Sequence, residues 1–230
     1  YENDGSPSGG GWTKNVVADY RDDVRSLDAV HVADVDRDGD ADVLSIHTSN
    51  GTEGRLAWYE NDGTGSFSGQ NVLSKSIYSD DIDVADLDGD GDLDVVSSTV
   101  DSDANTDQVI WFENQGDASF GSMQEITERD VRAVSVADID ANGDPDILVS
   151  SGKRTSTFEG VEWYENDGTP SDGGWTTHVV SDTLSESRSV RAANLDDDAE
   201  PEVVATGEYP VTGVMVHVYD SDGRPTSNGW

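Results

Sequence analysis

The sequence predicts an all-β protein assembled from four copies of one unit. Three observations carry that prediction. An acidic twelve-residue segment recurs at steps of 52, 52 and 56 residues, and an aromatic segment recurs in phase with it. Between them run short alternating stretches bounded by Gly, Asn and Asp, the pattern of strands joined by turns. No stretch sustains the three-and-four apolar spacing of an amphipathic helix over more than two turns.

The acidic segment reads VADVDRDGDADV at 32–43, VADLDGDGDLDV at 84–95, VADIDANGDPDI at 136–147 and, more loosely, AANLDDDAEPEV at 192–203. The aromatic segment reads WYENDG at 58–63, WFENQG at 111–116, WYENDG at 163–168 and, degraded, VYDSDG at 218–223. In the first full unit the alternation places strands near Leu27–Ala33, Val43–Thr48, Arg55–Glu60 and Phe67–Leu73. Four strands in a repeat of about 50 residues is the pattern of a β-propeller blade, a small twisted sheet that buries both faces against its neighbours. One domain over 1–230 is therefore expected, with units near 12–61, 67–114, 120–166 and 175–220 and equivalent inter-strand segments at 1–11 and 221–230.

The two ends match each other. Residues 1–12, 164–175 and 219–230 are versions of one twelve-residue segment, so the chain begins and stops at the same phase of the repeat. A strand near Trp12–Ala18 precedes the first acidic segment, and one near Gly213–Asp220 follows the last. Pairing of the first with Val214–Val218 would seal a closed four-bladed ring; otherwise the four units belong to a larger propeller.

Alternate Asp residues in a tight loop suit calcium, a hard cation that takes six to eight oxygens near ~2.4 Å. In the first loop Asp34, Asp36 and Asp38 would give side-chain oxygens, Gly39 the sharp turn, Asp40 its backbone carbonyl and Asp42 a bidentate closing carboxylate. The second loop repeats this with Asp86, Asp88, Asp90, Asp92 and Asp94, and the third with Asp138, Asp140, Asn142, Asp144 and Asp146. The fourth set is Asn194, Asp196, Asp198, Glu200 and Glu202, and it is expected to be weaker or empty. Asn194 lacks a charge there, Ala199 stands where the others have Gly, and Glu202 is one methylene longer than the closing Asp elsewhere. An EF-hand would need a Glu at position twelve and flanking helices, whereas here the closing acid comes at position nine beside a strand.

The acidic loop, the WYENDG segment and a following Phe-x-Gly at Phe67 and Phe120 together resemble the FG-GAP or VCBS repeat of calcium-binding β-propellers, integrin α-subunit heads included. The resemblance runs over the whole chain. It implies the propeller fold and the metal, and leaves the role open, because such repeats serve adhesion proteins, lectins and lyases alike.

Composition narrows the partners. Forty-nine acids against 13 basic residues give a formal charge of −36, which disfavours nucleic acid and anionic lipid surfaces. Asp outnumbers Glu 36 to 13 and only three residues are Lys, a balance that suits a saline habitat as well as metal ligation. There is no Cys, hence no disulfide or thiolate site, and the longest apolar runs are about four residues against the ~20 needed to cross a bilayer. The four His fall at unrelated phases, with no Gly-x-Ser-x-Gly elbow and no His-x-x-x-His pair. The expectation is a non-enzymatic, extracellular, calcium-stabilised module for adhesion or surface assembly, with a protein or glycan ligand at the cell surface, self-association as an option, and neither nucleic acid nor membrane insertion. The alternative is a propeller domain of a secreted carbohydrate-active protein, a lectin or a lyase. In that reading the Trp of WYEN could serve as a sugar platform instead of filling the space between blades.

Overall fold

The fold is described from a computed structural model over residues 2–3, 12–19, 24–49, 54–75, 77–101, 106–116, 118–152, 158–196, 200–209 and 213–221. Among these residues there is no α-helix; a single 3-10 turn spans Pro170–Asp172. Among them, no helix is long and apolar enough to cross a membrane.

A short hairpin comes first, β1 (Glu2–Asn3) with β2 (Trp12–Thr13). Four antiparallel sheets follow in chain order. Sheet 1 holds β3 (Val24–Ala33), β4 (Asp42–Ser49), β5 (Gly54–Tyr59) and β6 (Asn71–Lys75). Sheet 2 holds β7 (Ile77–Ala85), β8 (Asp94–Asp101), β9 (Thr106–Phe112) and β10 (Gln124–Thr127). Sheet 3 holds β11 (Ala133–Ala137), β12 (Asp146–Ser151), β13 (Gly160–Glu165) and β14 (Thr176–Ser181). Sheet 4 has three described strands, β15 (Ser185–Ala193), β16 (Glu202–Tyr209) and β17 (Gly213–Tyr219). Each is a meander in which consecutive strands pair, so every acidic loop joins the first strand of its sheet to the second.

The fourth strand of the first unit lies later than the alternation suggests. Phe67 forms an isolated bridge to Asn61, as Phe120 does to Asn114, and pairing with β5 begins only at Asn71. Ser68 N donates to Glu60 O and Asp62 N to Ser66 O, which closes the WYENDG turn into a small loop before the strand starts.

The core lies between sheets. One apolar layer joins Val35, Leu44, Ile46, Leu56 and Trp58 of sheet 1 to Ile82, Val95, Ile110 and Phe112 of sheet 2. The next joins Leu87, Val96, Val109 and Trp111 to Val134, Ile147, Val149 and Tyr164. The third joins Ile139, Leu148, Val161 and Trp163 to Leu184, Val190, Val203 and Ala205. Strand alternation explains this arrangement: successive residues point to opposite faces, so each middle sheet presents one apolar face to the sheet before it and one to the sheet after. The first strands of successive sheets also contact one another, β3 with β7, β7 with β11 and β11 with β15.

The expected closing pair does not form. The segment near Trp12 pairs with Glu2–Asn3, and β17 pairs with β16 on its one described side. Residues 14–19 lie instead beside sheet 1, where Val17 lines a cleft of about 1140 Å³ with Leu27, Val30, Val43 and Tyr59.

Candidate metal centres

The loops turn through left-handed backbone at two positions, not one. Gly39, Gly91 and Gly143 have φ of 98°, 96° and 103°, and two residues earlier Arg37, Gly89 and Ala141 have φ of 61°, 73° and 56°. The glycine at the later position thus meets a real steric demand. The corresponding Ala199 lies outside the described residues, as does Asp198. Side chains then stitch the turn: Asp36 Oδ1 accepts from Asp38 N at 3.2 Å, Asp38 Oδ1 from Asp40 N at 2.9 Å, and Asp34 Oδ2 from Gly39 N at 3.1 Å. Asp88, Asp90, Asp140 and Asn142 play the same parts in the second and third loops.

The closing residues are buried, and each closing Asp uses both of its oxygens as hydrogen-bond acceptors. Asp42 accepts from Val35 N at 3.1 Å through Oδ2 and from Asn61 N at 2.8 Å through Oδ1. Asp94 does so with Leu87 N and Asn114 N, and Asp146 with Ile139 N and Asn166 N. Each therefore ties its own loop to the turn after the third strand of its sheet, and both oxygens are engaged before any cation is considered. Burial nevertheless pushes the Asp94 and Asp146 carboxyls up to about 7, against the pull of the two amides, with neighbouring loop carboxylates adding repulsion. Asp42, Asp88 and Asp140 are shifted up as well, again chiefly by desolvation.

Carboxylate oxygens converge in all four loops. Within each group the oxygens lie within 4.8 Å of one another: Asp34, Asp36 and Asp42; Asp86, Asp88 and Asp90; Asp138, Asp140 and Asp146; Asp196, Glu202 and Asp220. Such clusters, buried or partly buried, can hold a metal, and an all-oxygen donor set is compatible with calcium. Unpartnered oxygens supply the test of fit. Asp34 Oδ1, Asp86 Oδ1 and Glu202 Oε1 are shielded from solvent with no hydrogen-bond partner, a costly arrangement that a cation would relieve. In the third loop Asp138 spends both oxygens on Asn142 N and Gly143 N.

Other expected ligands have further contacts of their own. Asp38 and Asn142 are exposed, and their described role is capping the next amide. The Asp40 carboxylate lies over Gly63, so close that a Cβ there would meet it, and Asp144 lies similarly over Gly168, which leaves their backbone carbonyls as the atoms to offer. Asp92 forms an ion pair with Arg37 of the preceding loop at 3.1 Å. In the fourth loop Asn194 is exposed and Glu200 half-buried.

Asp220 is a member that the spacing of the acidic segment does not reveal. It follows Tyr219 in the degraded VYDSDG segment, at the phase of Glu60, Glu113 and Glu165, and it supplies the third acid that Asn194 cannot. The one hint is that phase: the acid after the aromatic pair ends the third strand beside the loop. Glu165 shows the same proximity, since its charge raises the Asp140 carboxyl while its Oε2 meets His178 Nε2 at 2.7 Å.

The aromatic segment is structural at its Trp and Asn positions. Trp58, Trp111 and Trp163 are buried between sheets, so none offers a face to a sugar. Asn114 Nδ2 donates to Leu93 O of its own sheet and, at 3.0 Å, to Val35 O in the loop of sheet 1. Asn166 Nδ2 likewise reaches Pro145 O and, at 2.7 Å, Leu87 O in the loop of sheet 2. The loops of sheets 1 and 2 are thereby each fastened to the sheet that follows.

A family model described as FG-GAP-like repeat matches residues 34–97, from the first Asp of loop 1 through loop 2 into β8. No curated protein matches the chain.

Proposed function

We propose that the four sheets are blades of a β-propeller whose acidic loops bind calcium, and that the module acts outside the cell, without catalysis, in adhesion or surface assembly. The observation that carries the metal reading is the convergence of carboxylates on one point in each loop, with an unpartnered, shielded oxygen in three of them. A cation there cancels the repulsion among carboxylates and fixes the link between the first two strands of the sheet. Asp34, Asp36 and Asp42, Asp86, Asp88 and Asp90, Asp138, Asp140 and Asp146, and Asp196, Glu202 and Asp220 would hold it. Extracellular modules that bind at ~10⁻⁴ to 10⁻³ M suit an exterior rich in calcium.

The test is thermal melting of the chain in moderate salt with calcium, with magnesium and with chelator. A melting temperature raised by calcium well above the chelated value supports the reading. An unchanged melt overturns it. A glycan array beside a panel of surface proteins then separates adhesion through protein from binding of sugar.

A further inference from the structure

The two end sheets each carry half of an interface that the molecule builds three times. At every internal junction, residues on the first strand of a sheet press into the sheet before: Ile82, Val134 and Val190 are all buried this way. The residue in that register on sheet 1 is Val30, 69% exposed, with Val32 beside it at 59%. The opposite faces behave alike. Leu56, Val109 and Val161, and next to them Trp58, Trp111 and Trp163, are covered by the following sheet. Their counterparts on sheet 4 are Val216 and Val218, 70% and 57% exposed, and Leu195, the counterpart of buried Val35, Leu87 and Ile139, is 58% exposed.

Two further features say what covers these faces. Asn114 and Asn166 each reach back to a loop carbonyl of the preceding sheet, whereas the Asn61 amide, among the described residues, bonds only within its own sheet, to Ala41 O. The acceptor that would complete it is the carbonyl of Leu195, on a sheet 4 packed against the β3 face of sheet 1. Segment 12–18 also reads WTKNVVA against WTTHVVS at 175–181, the sequence of β14. It lies beside the β3 face of sheet 1 as β14 lies beside sheet 4: Val17 lines the cleft there, and its counterpart Val180 packs with Val190 and Val203. The segment sits where the fourth strand of a preceding sheet would sit, and sheet 4 is a sheet with three described strands.

We propose that the exposed face of sheet 4 docks on the β3 face of sheet 1 of a second copy of this chain. In that docking β17 takes the place of Glu2–Asn3 at this edge and adds to residues 14–18 of the second copy, Tyr219 facing Lys14 and His217 facing Val16, by the register of Tyr164 with Thr177 and Glu162 with Val179, so the β1–β2 pair gives way. Val216 and Val218 fill the cleft over Val30 and Val32, and Asn61 gains Leu195 O. The interface is head-to-tail, so it closes into a ring or runs on as a filament. Copies charged −36 repel, so association strengthens with added salt, opposite to an interface held by ion pairs.

The experiment is sedimentation of the whole chain over a dilution series at low and high salt, with and without calcium. The expected result is a mass average that at least doubles with concentration and more so at high salt. Paired exposed substitutions, Val30→Glu with Val32→Glu on sheet 1 and Val216→Glu with Val218→Glu on sheet 4, should each abolish association alone. Mixed, they should form a dimer and nothing larger, since one intact interface remains. Melting curves matched to the parent confirm folded variants. A chain that stays monomeric throughout, or variants that associate as the parent does, overturn the proposal. A calcium effect on melting without association would leave the metal reading standing and this one refuted.

Discussion

The third and fourth loops meet one electrostatic problem in different ways. In the third, Asp146 is short and accepts one amide on each oxygen, from Ile139 N and from Asn166 N. In the fourth, Glu202 uses its extra methylene to reach the matching amide, Leu195 N, and its other oxygen stays unpartnered in a buried position. The third draws its acids from one continuous loop, while the fourth imports Asp220 from the end of β17. An acidic cluster can thus lose a member from its own run and recover one from a neighbouring strand, at the cost of depending on that strand's position.

With calcium in the loops as proposed, the largest expected effect comes from its removal. Calcium at about a hundred times its dissociation constant stabilises the folded state by about 2.7 kcal/mol per site. Chelation should therefore lower the melting temperature steeply, and calorimetric titration should show a weaker fourth event. A greater loss of bound calcium in Asp196→Ala than in Asp88→Ala would reverse the ranking of the loops.

Next is the closing residue. Asp146→Ala strands two buried amides and Glu202→Ala one, each worth about 1–3 kcal/mol when left unpaired. Denaturant unfolding in chelator should therefore find Asp146→Ala the more damaging by about 1–3 kcal/mol. Equal losses would mean that Ser221 N or another group shares the load in the fourth loop.

Acidity sharpens the same contrast. Asp94 and Asp146 carry folded values of about 7 against an ordinary 3.8, so between those values the folded metal-free chain holds protons that the unfolded chain has released. Their contribution is fully present below 3.8 and is lost as pH rises through about 7. The chelated protein should melt at falling temperature from about pH 5 to about pH 8, and the calcium-loaded protein should melt nearly independently of pH there. A chelated melt that rises across this window would show that burial is not what governs these carboxyls.

The smallest effect is conformational. Gly143→Ala forces a side chain into φ of 103°, at a cost of roughly 1 kcal/mol, and it should shift the third loop's calcium affinity toward that of the fourth. An affinity left unchanged would remove Ala199 as a reason for weakness.

Much of this is legible in the chain itself. The repeat period locates four sheets and the acidic loops between their first two strands, because alternation and turn residues act over a few neighbours. The carboxylate clusters follow from the same spacing. Asp220 does not, since its membership depends on β17 arriving beside a loop some twenty residues earlier. Nor does the reach of Asn114 and Asn166, whose acceptors lie 79 residues away on another sheet. The late start of β6 is hidden because Phe67 looks like a strand residue yet serves to close a turn. Matching ends suggest a ring-closing pair, but likeness of sequence does not say which copy of a strand occupies which edge.

The amide tethers from Asn114 and Asn166 have a mechanical consequence. Each tethered loop is latched by the sheet that comes after it, so a chain under tension should yield from its last sheet backward. No described sheet follows sheet 4 to hold Leu195, while sheets 1 and 2 are held through Val35 and Leu87. Stretched between its ends, the molecule should let go of sheet 4 at low force and of the earlier sheets only after each latch has been exposed, as an ordered series of yields. Single-molecule extension would record that order as a staircase, and Asn166→Ala should shorten one step while leaving the rest in place. A module of this build gives way by degrees as it lengthens.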